Sequence, residues 1–176
     1  DRAIERQFEL LKKFGYNHVR TSHNPYSKSF MELADKHGIL IVDELIDKWS
    51  DKSYWGGRVP FTQLWYKMIP EWIKRDRNHP SVIMWSIGNE VPTQCSPVGY
   101  KVAKFLQDIC HREDPTRPVT CGMDQVSCVL ANGFAAMIDI PGLNYRTQRY
   151  KESYDQLPQN LILGSETAST VSSRGV

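Results

Sequence analysis

The segment Val82 to Ile87 is an apolar run of β-branched and aromatic residues, with Pro80 before it and Gly88 after it. A run of this length without polar alternation fits a strand buried on both faces, as in an all-parallel sheet covered by helices. Asn89 and Glu90 follow at once, placing an amide and a carboxylate where the strand leaves the core. In a barrel of parallel strands, catalytic groups sit at the carboxyl ends of the strands. Glu90 taken alone is equally well the start of a solvated loop. A second segment of the same build, Leu161-Ile162-Leu163-Gly164-Ser165-Glu166, also ends in a glutamate.

The rest of the chain alternates in the same way. Ile4, Phe8, Leu10, Leu11 and Phe14 recur at helical spacing before Gly15, and His18 to Ser22 reads as a strand. Ser27 to His37 repeats the pattern, with Ser27 as N-cap, an apolar face of Phe30, Met31, Leu33 and Ala34, and Gly38 as terminator. Ile39 to Asp43 is the next strand. Helices are predicted over 61–76 and 98–112, ahead of the strands at Val82 and Val119 to Met123. A strand over 138–144, a helix near 150–157 and the strand ending at Glu166 complete the series. Trp65 and Trp72, seven apart on one helix, mark a buried face. Such alternation predicts an α/β protein of parallel βαβ units with right-handed crossovers.

Two strand-end carboxylates are the equipment of retaining glycoside hydrolysis, where one acid protonates the departing oxygen and one carboxylate attacks the sugar. Paired acidic strand ends also occur in metal sites and in ion-pair networks, and spacing alone does not choose among these. Composition narrows the field. The chain is 40% hydrophobic with a net charge of +2 and signs well mixed, so no basic stripe points to nucleic acid. No apolar run approaches the roughly 18 residues of a membrane span. Cys95, Cys110, Cys121 and Cys128 show neither CxxC nor zinc spacing and are expected to be buried thiols. The cellular compartment is left open by these features.

Several segments together resemble a known family. Asn17-His18-Val19-Arg20-Thr21-Ser22-His23-Asn24-Pro25, Ile41-Val42-Asp43-Glu44, Arg75-Asp76-Arg77-Asn78-His79-Pro80-Ser81 through Gly88-Asn89-Glu90, and Gly142-Leu143-Asn144-Tyr145 occur in the order seen in family 2 glycoside hydrolases. The resemblance covers nearly the whole chain and is to the (β/α)8 TIM barrel of a β-galactosidase-like member. It implies Glu90 as acid/base after strand four and Glu166 as nucleophile after strand seven. Residues 1–176 are then one partial catalytic domain, an incomplete barrel of about strands two to seven, against eight strands and roughly 250 residues for the closed fold. The remaining barrel strands and β-sandwich domains are expected elsewhere in a full-length chain.

The resemblance also implies roles for neighbours of the glutamates. Arg20 would hydrogen-bond the nucleophile, His23 would contact sugar hydroxyls, Asn89 would bind the 2-hydroxyl, and Tyr145 would donate its phenol to Glu166. Trp49, Tyr54 and Trp55 follow the third barrel strand, where exposed aromatic faces would stack on sugar. Metal-dependent β-galactosidases of the family continue the Asp-Glu motif with a glutamate and a histidine implicated in magnesium binding. Here those positions are Lys48 and Ser50, and an ammonium has no lone pair for a hard cation, so no catalytic metal and no other cofactor are expected, Asp47 notwithstanding. The implied activity is a retaining exo-β-glycosidase acting on an oligosaccharide or glycoside, β-galactosidase first. β-Glucuronidase, β-mannosidase or a non-catalytic carbohydrate-binding barrel remain as alternatives.

Overall fold

The computed structural model describes residues 1–49 and 61–169. Ser50, Tyr54 and Trp55 lie outside them. Helix α1 (Arg2–Lys13) turns its Phe8, Ile4 and Leu11 inward, and the chain reverses at Gly15 into strand β1 (His18–Arg20). In α2 (Lys28–His37) the Ser27 hydroxyl accepts from the Phe30 N–H at 3.2 Å. That cap satisfies one of the amides a helix start leaves unpaired. Gly38, in the left-handed region at φ 65°, ends the helix before β2 (Leu40–Glu44). Then follow α3 (Phe61–Asp76), β3 (Val82–Asn89), α4 (Gly99–Glu113), β4 (Val119–Met123), the short α5 (Val126–Ala131) and α6 (Phe134–Met137), β5 (Ile140–Asn144), α7 (Tyr150–Gln156) and β6 (Leu163–Glu166).

All six strands are parallel, and their order in the sheet is their order in the chain. Flat, such a sheet would hold β1 and β6 about 24 Å apart, five strand spacings. Instead Arg20 at the end of β1 reaches Glu166 at the end of β6 with a 2.9 Å bond. The sheet is therefore rolled into an incomplete TIM barrel, with every strand's carboxyl end on one rim. Among the described residues β1 and β6 each pair along one edge only.

Between sheet and helices the core gathers Phe8, Met31, Ile41, Ile69, Ile73, Trp85, Leu106 and Phe134, all buried. Trp72 packs edge-on against Trp85, and its indole N–H donates to Asp43 at 2.7 Å. Trp65 is partly buried beside Phe105. Burial and the neighbouring Asp76 carboxyl raise the Asp43 pKa well above the usual carboxylate range.

Three expectations need correction. First, Cys95 and Cys128 form a disulfide, leaving Cys110 and Cys121 as buried thiols. Their spacing hid this, because the 3-10 turn Pro92–Cys95 after β3 and helix α5 after β4 meet only once the two strands pair. Second, α5 and α6 interrupt what reads as plain connection between β4 and β5. Each is too short for its apolar face to stand out as a period. Third, Trp49 is buried, its ring stacked on Phe134 and its indole N–H donating to the Ile87 carbonyl at 2.6 Å. A Cβ at Gly88 would lie 2.6 Å from that indole nitrogen, so Gly88 opens the space Trp49 fills. Trp49 is thus a core residue bracing β3, and it offers no face to a sugar.

The disulfide closes a loop across 33 positions and ties the turn behind Glu90 to the next βα loop. Loop-closure entropy for that length is worth about 3–4 kcal/mol. Replacing both cysteines by serine in the full-length protein is expected to lower the urea midpoint of the barrel accordingly; an unchanged midpoint would show that the bridge adds nothing.

Candidate active site

The rim at the carboxyl ends of the strands carries one continuous hydrogen-bonded network. Its hub is Arg20, whose side chain is 10% exposed. The guanidinium donates through Nε to Glu44 Oε2 at 2.8 Å, through Nη1 to Glu166 Oε1 at 2.9 Å, and through Nη2 to Asn89 Oδ1 at 2.8 Å. Strands β1, β2, β3 and β6 are so joined by one planar fork, whose fixed donor directions suit arginine and not lysine. Burial works against its charge, but Glu44 and Glu166 more than offset that and raise its pKa.

Glu44 ends β2 and is fully buried. Besides Arg20 it accepts from the Ser86 hydroxyl at 2.6 Å on Oε2, and its Oε1 meets His23 Nδ1 at 2.7 Å. The bond to Glu44 raises the His23 pKa. Glu166 ends β6, and its second oxygen accepts from the Tyr145 phenol at 2.7 Å. Burial alone would raise the Glu166 pKa. The bonds from Tyr145 and Arg20 outweigh burial and hold the carboxyl below its ordinary value.

Glu90 follows β3 directly and sits in the left-handed region at φ 44°. Its N–H donates to the Gly122 carbonyl at 2.8 Å, and its Oε1 accepts from Asn144 Nδ2 at 3.0 Å. The same Asn144 amide donates to Asn89 Oδ1 at 2.8 Å, and Asn144 Oδ1 accepts from Ser165 Oγ at 2.7 Å. The two glutamates are thereby linked as Glu90, Asn144, Asn89, Arg20, Glu166, each joined to the next. Beneath this chain lies Gly122. A Cβ there would come within 2.7 Å of Asn89 Oδ1, 3.0 Å of Asn144 Oδ1 and 3.1 Å of Arg20 Nη2. The network closes only over a residue with no side chain.

Glu90, Glu166, Arg20, His23, Asn89 and Tyr145 thus lie in one cluster, and Trp49 lies outside it. Glu44 and Asn144 belong to the cluster although sequence reasoning gave them no role. Both are polar groups at the ends of buried strands, the same signal that singled out Glu90 and Glu166. Asp47 and Lys48, which flank Asn89, came with no such signal because they lie in a loop. Among the described residues no three His, Cys, Asp or Glu side chains converge as a metal would require.

The model of the glycosyl hydrolases family 2 TIM barrel domain matches residues 1–176. Beta-galactosidase BoGH2A of Bacteroides ovatus is 30% identical over 206 residues, covering 99% of this chain and 24% of its own length. Beta-glucuronidase of Felis catus is 37% identical over 126 residues, covering 66% of this chain and 18% of its own. The crystal structure of a glycosyl hydrolase family 2 member from Bacteroides cellulosilyticus superposes with a TM-score of 0.83 at 38% identity, over 94% of this chain and 22% of that one. The chain therefore spans a quarter or less of the length of these relatives.

The pH response of Glu166 follows from its bonds. Tyr145→Phe removes one donor to the carboxylate, so the Glu166 pKa rises toward its ordinary value and a larger fraction is protonated at any mildly acidic pH. In the full-length protein the Glu166 carboxyl, followed by carbon-13 NMR, is expected to titrate at higher pH in Tyr145→Phe; an unchanged titration would show that the phenol does not tune this group.

Proposed function

The chain belongs to family 2 of the glycoside hydrolases, as a TIM barrel domain, and we propose that the full-length protein is a retaining, exo-acting β-glycosidase with Glu166 as nucleophile and Glu90 as acid/base. The observation that carries this reading is the unequal bonding of the two carboxylates. Glu166 receives a guanidinium and a phenol, which favour the ionised form that attacks the anomeric carbon. Glu90 receives one neutral amide, from Asn144, and among the described residues no cation. This less heavily bonded carboxyl is the one assigned to serve the departing oxygen.

The steps follow. Glu166 displaces the leaving group at the anomeric carbon while Glu90 transfers its proton to the leaving oxygen, giving a glycosyl ester of Glu166. Glu90, now a carboxylate, takes a proton from water as that water attacks the same carbon and releases Glu166. Two inversions give net retention. Asn89 spends one amide N–H on Asp47 at 3.1 Å and has a second for the sugar 2-hydroxyl. His23, with Nδ1 engaged by Glu44, has Nε2 for a second hydroxyl. Strands that close the barrel, and the β-sandwich domains, belong in this reading to the rest of the full-length chain.

A terminal β-galactoside is the proposed substrate, because the match to the β-galactosidase runs over 99% of the chain and that to the β-glucuronidase over 66%. β-Glucuronide is the second reading, since the shorter match has the higher identity. A non-catalytic barrel would have no reason to keep both glutamates bonded into one network.

Chromogenic β-galactoside, β-glucuronide and β-mannoside offered to the full-length protein test the sugar, with the galactoside expected to be cleaved; turnover of none of them would reject a glycosidase. Glu166→Ala is expected to abolish turnover. Glu90→Ala is expected to lose about 10²–10⁴-fold on poor leaving groups, and azide is expected to rescue it with β-glycosyl azide as product. An α-glycosyl azide formed by Glu166→Ala is the expected complement; the reverse pairing of products would exchange the two roles.

A further inference from the structure

Residues Asp47 and Lys48, in the loop after β2, grip Asn89 on three sides. The Asn89 N–H donates to the Asp47 carbonyl at 2.8 Å, and the Asn89 side-chain amide donates to Asp47 Oδ1 at 3.1 Å. The Asn89 carbonyl accepts from Lys48 Nζ at 2.8 Å. Lys48 is itself held by Asp47 Oδ1 at 2.8 Å, with the two side chains only 20% and 14% exposed. The Asn89 carbonyl belongs to the peptide that enters Glu90. That peptide must be turned for Glu90 to sit at φ 44°, a conformation unfavourable for any residue with a Cβ. On its other side the same peptide gives its N–H to the Gly122 carbonyl. An ammonium donor to a carbonyl makes a stronger bond than a neutral donor does, and in this partly buried place it is poorly screened.

From this geometry we infer that Lys48 is a positioning residue for proton transfer: its ammonium locks the Asn89–Glu90 peptide and so aims the Glu90 carboxyl at the leaving-group oxygen. Lys48 does not touch the reacting atoms. It acts through a backbone carbonyl, and Asp47 keeps it in place. The inference rests on the reading of Glu90 as the proton donor. It predicts a defect that depends on the leaving group, because only a basic leaving oxygen needs a proton delivered along a set direction.

The test uses the full-length protein and aryl glycosides of the sugar that the chromogenic panel selects. Lys48→Met keeps the aliphatic stem and removes the donor. Its kcat/KM is expected to fall at least about tenfold for a phenyl or alkyl glycoside and less than about threefold for a dinitrophenyl glycoside, the full contribution of acid catalysis, about 10²–10⁴-fold, being the upper bound. Lys48→Arg, which retains a cationic donor, is expected to recover most of the loss. Equal losses of Lys48→Met on both classes of substrate, or no loss on either, would overturn the inference. Should Lys48→Met fail to fold, Lys48→Leu carries the same comparison, again with an apolar side chain that has no donor. Glu90→Gln, measured alongside, separates the two ideas. If Glu90→Gln shows the leaving-group dependence and the Lys48 variants do not, the positioning role fails alone. If Glu90→Gln shows none, the acid assignment fails and takes this inference with it.

Discussion

The guanidinium of Arg20 is bonded at once to the ends of β2, β3 and β6, and the rim of the barrel is organised about it. Glu44 is its necessary complement. A carboxylate removed from water is strongly unfavourable unless paired and bonded on both oxygens, and Glu44 has Arg20 and Ser86 on one oxygen and His23 on the other. With Glu44 satisfied in this way, Arg20 still has donors for Glu166 and Asn89. Each group is held by partners that are themselves held, so the carboxylate of Glu166 is fixed in orientation by the fold. In the role proposed for it, such preorganisation would cost no rearrangement at the moment of reaction.

Close packing beneath the network is as important as the bonds within it. Gly122 lets Asn89, Asn144 and Arg20 meet over the β4 backbone, where a single methyl group would push at least one of them away. Gly88 does the same for Trp49, whose ring fills the space behind β3. The Cys95–Cys128 bridge fastens the turn after Glu90 to helix α5, which follows β4. Glu90 is therefore fixed from below, from behind and along the chain.

Much of this was legible in the residues themselves. The buried runs of β2, β3 and β4 announced parallel strands, and Ser27, Gly15 and Gly38 marked helix ends where the structure has them. The strand-end signal located Glu90 and Glu166, and applied evenly it would have located Glu44 and Asn144 too. The reading of loop aromatics as sugar platforms failed for Trp49, because an aromatic in a loop is equally suited to a sugar face and to a gap in the core. The cysteines failed for a related reason: nothing along the chain shows which two turns will stand side by side.

Periodicity and strand-end chemistry are local properties, so the chain alone dictated six parallel strands and a rim bearing two glutamates. The difference between those glutamates is not local. Each closes an apolar run, and neither run says which carboxyl will face a guanidinium and which a neutral amide. That was settled when the sheet rolled up and brought β6 against β1, because the strength of a charge pair depends on distance and desolvation, and both are set by folding.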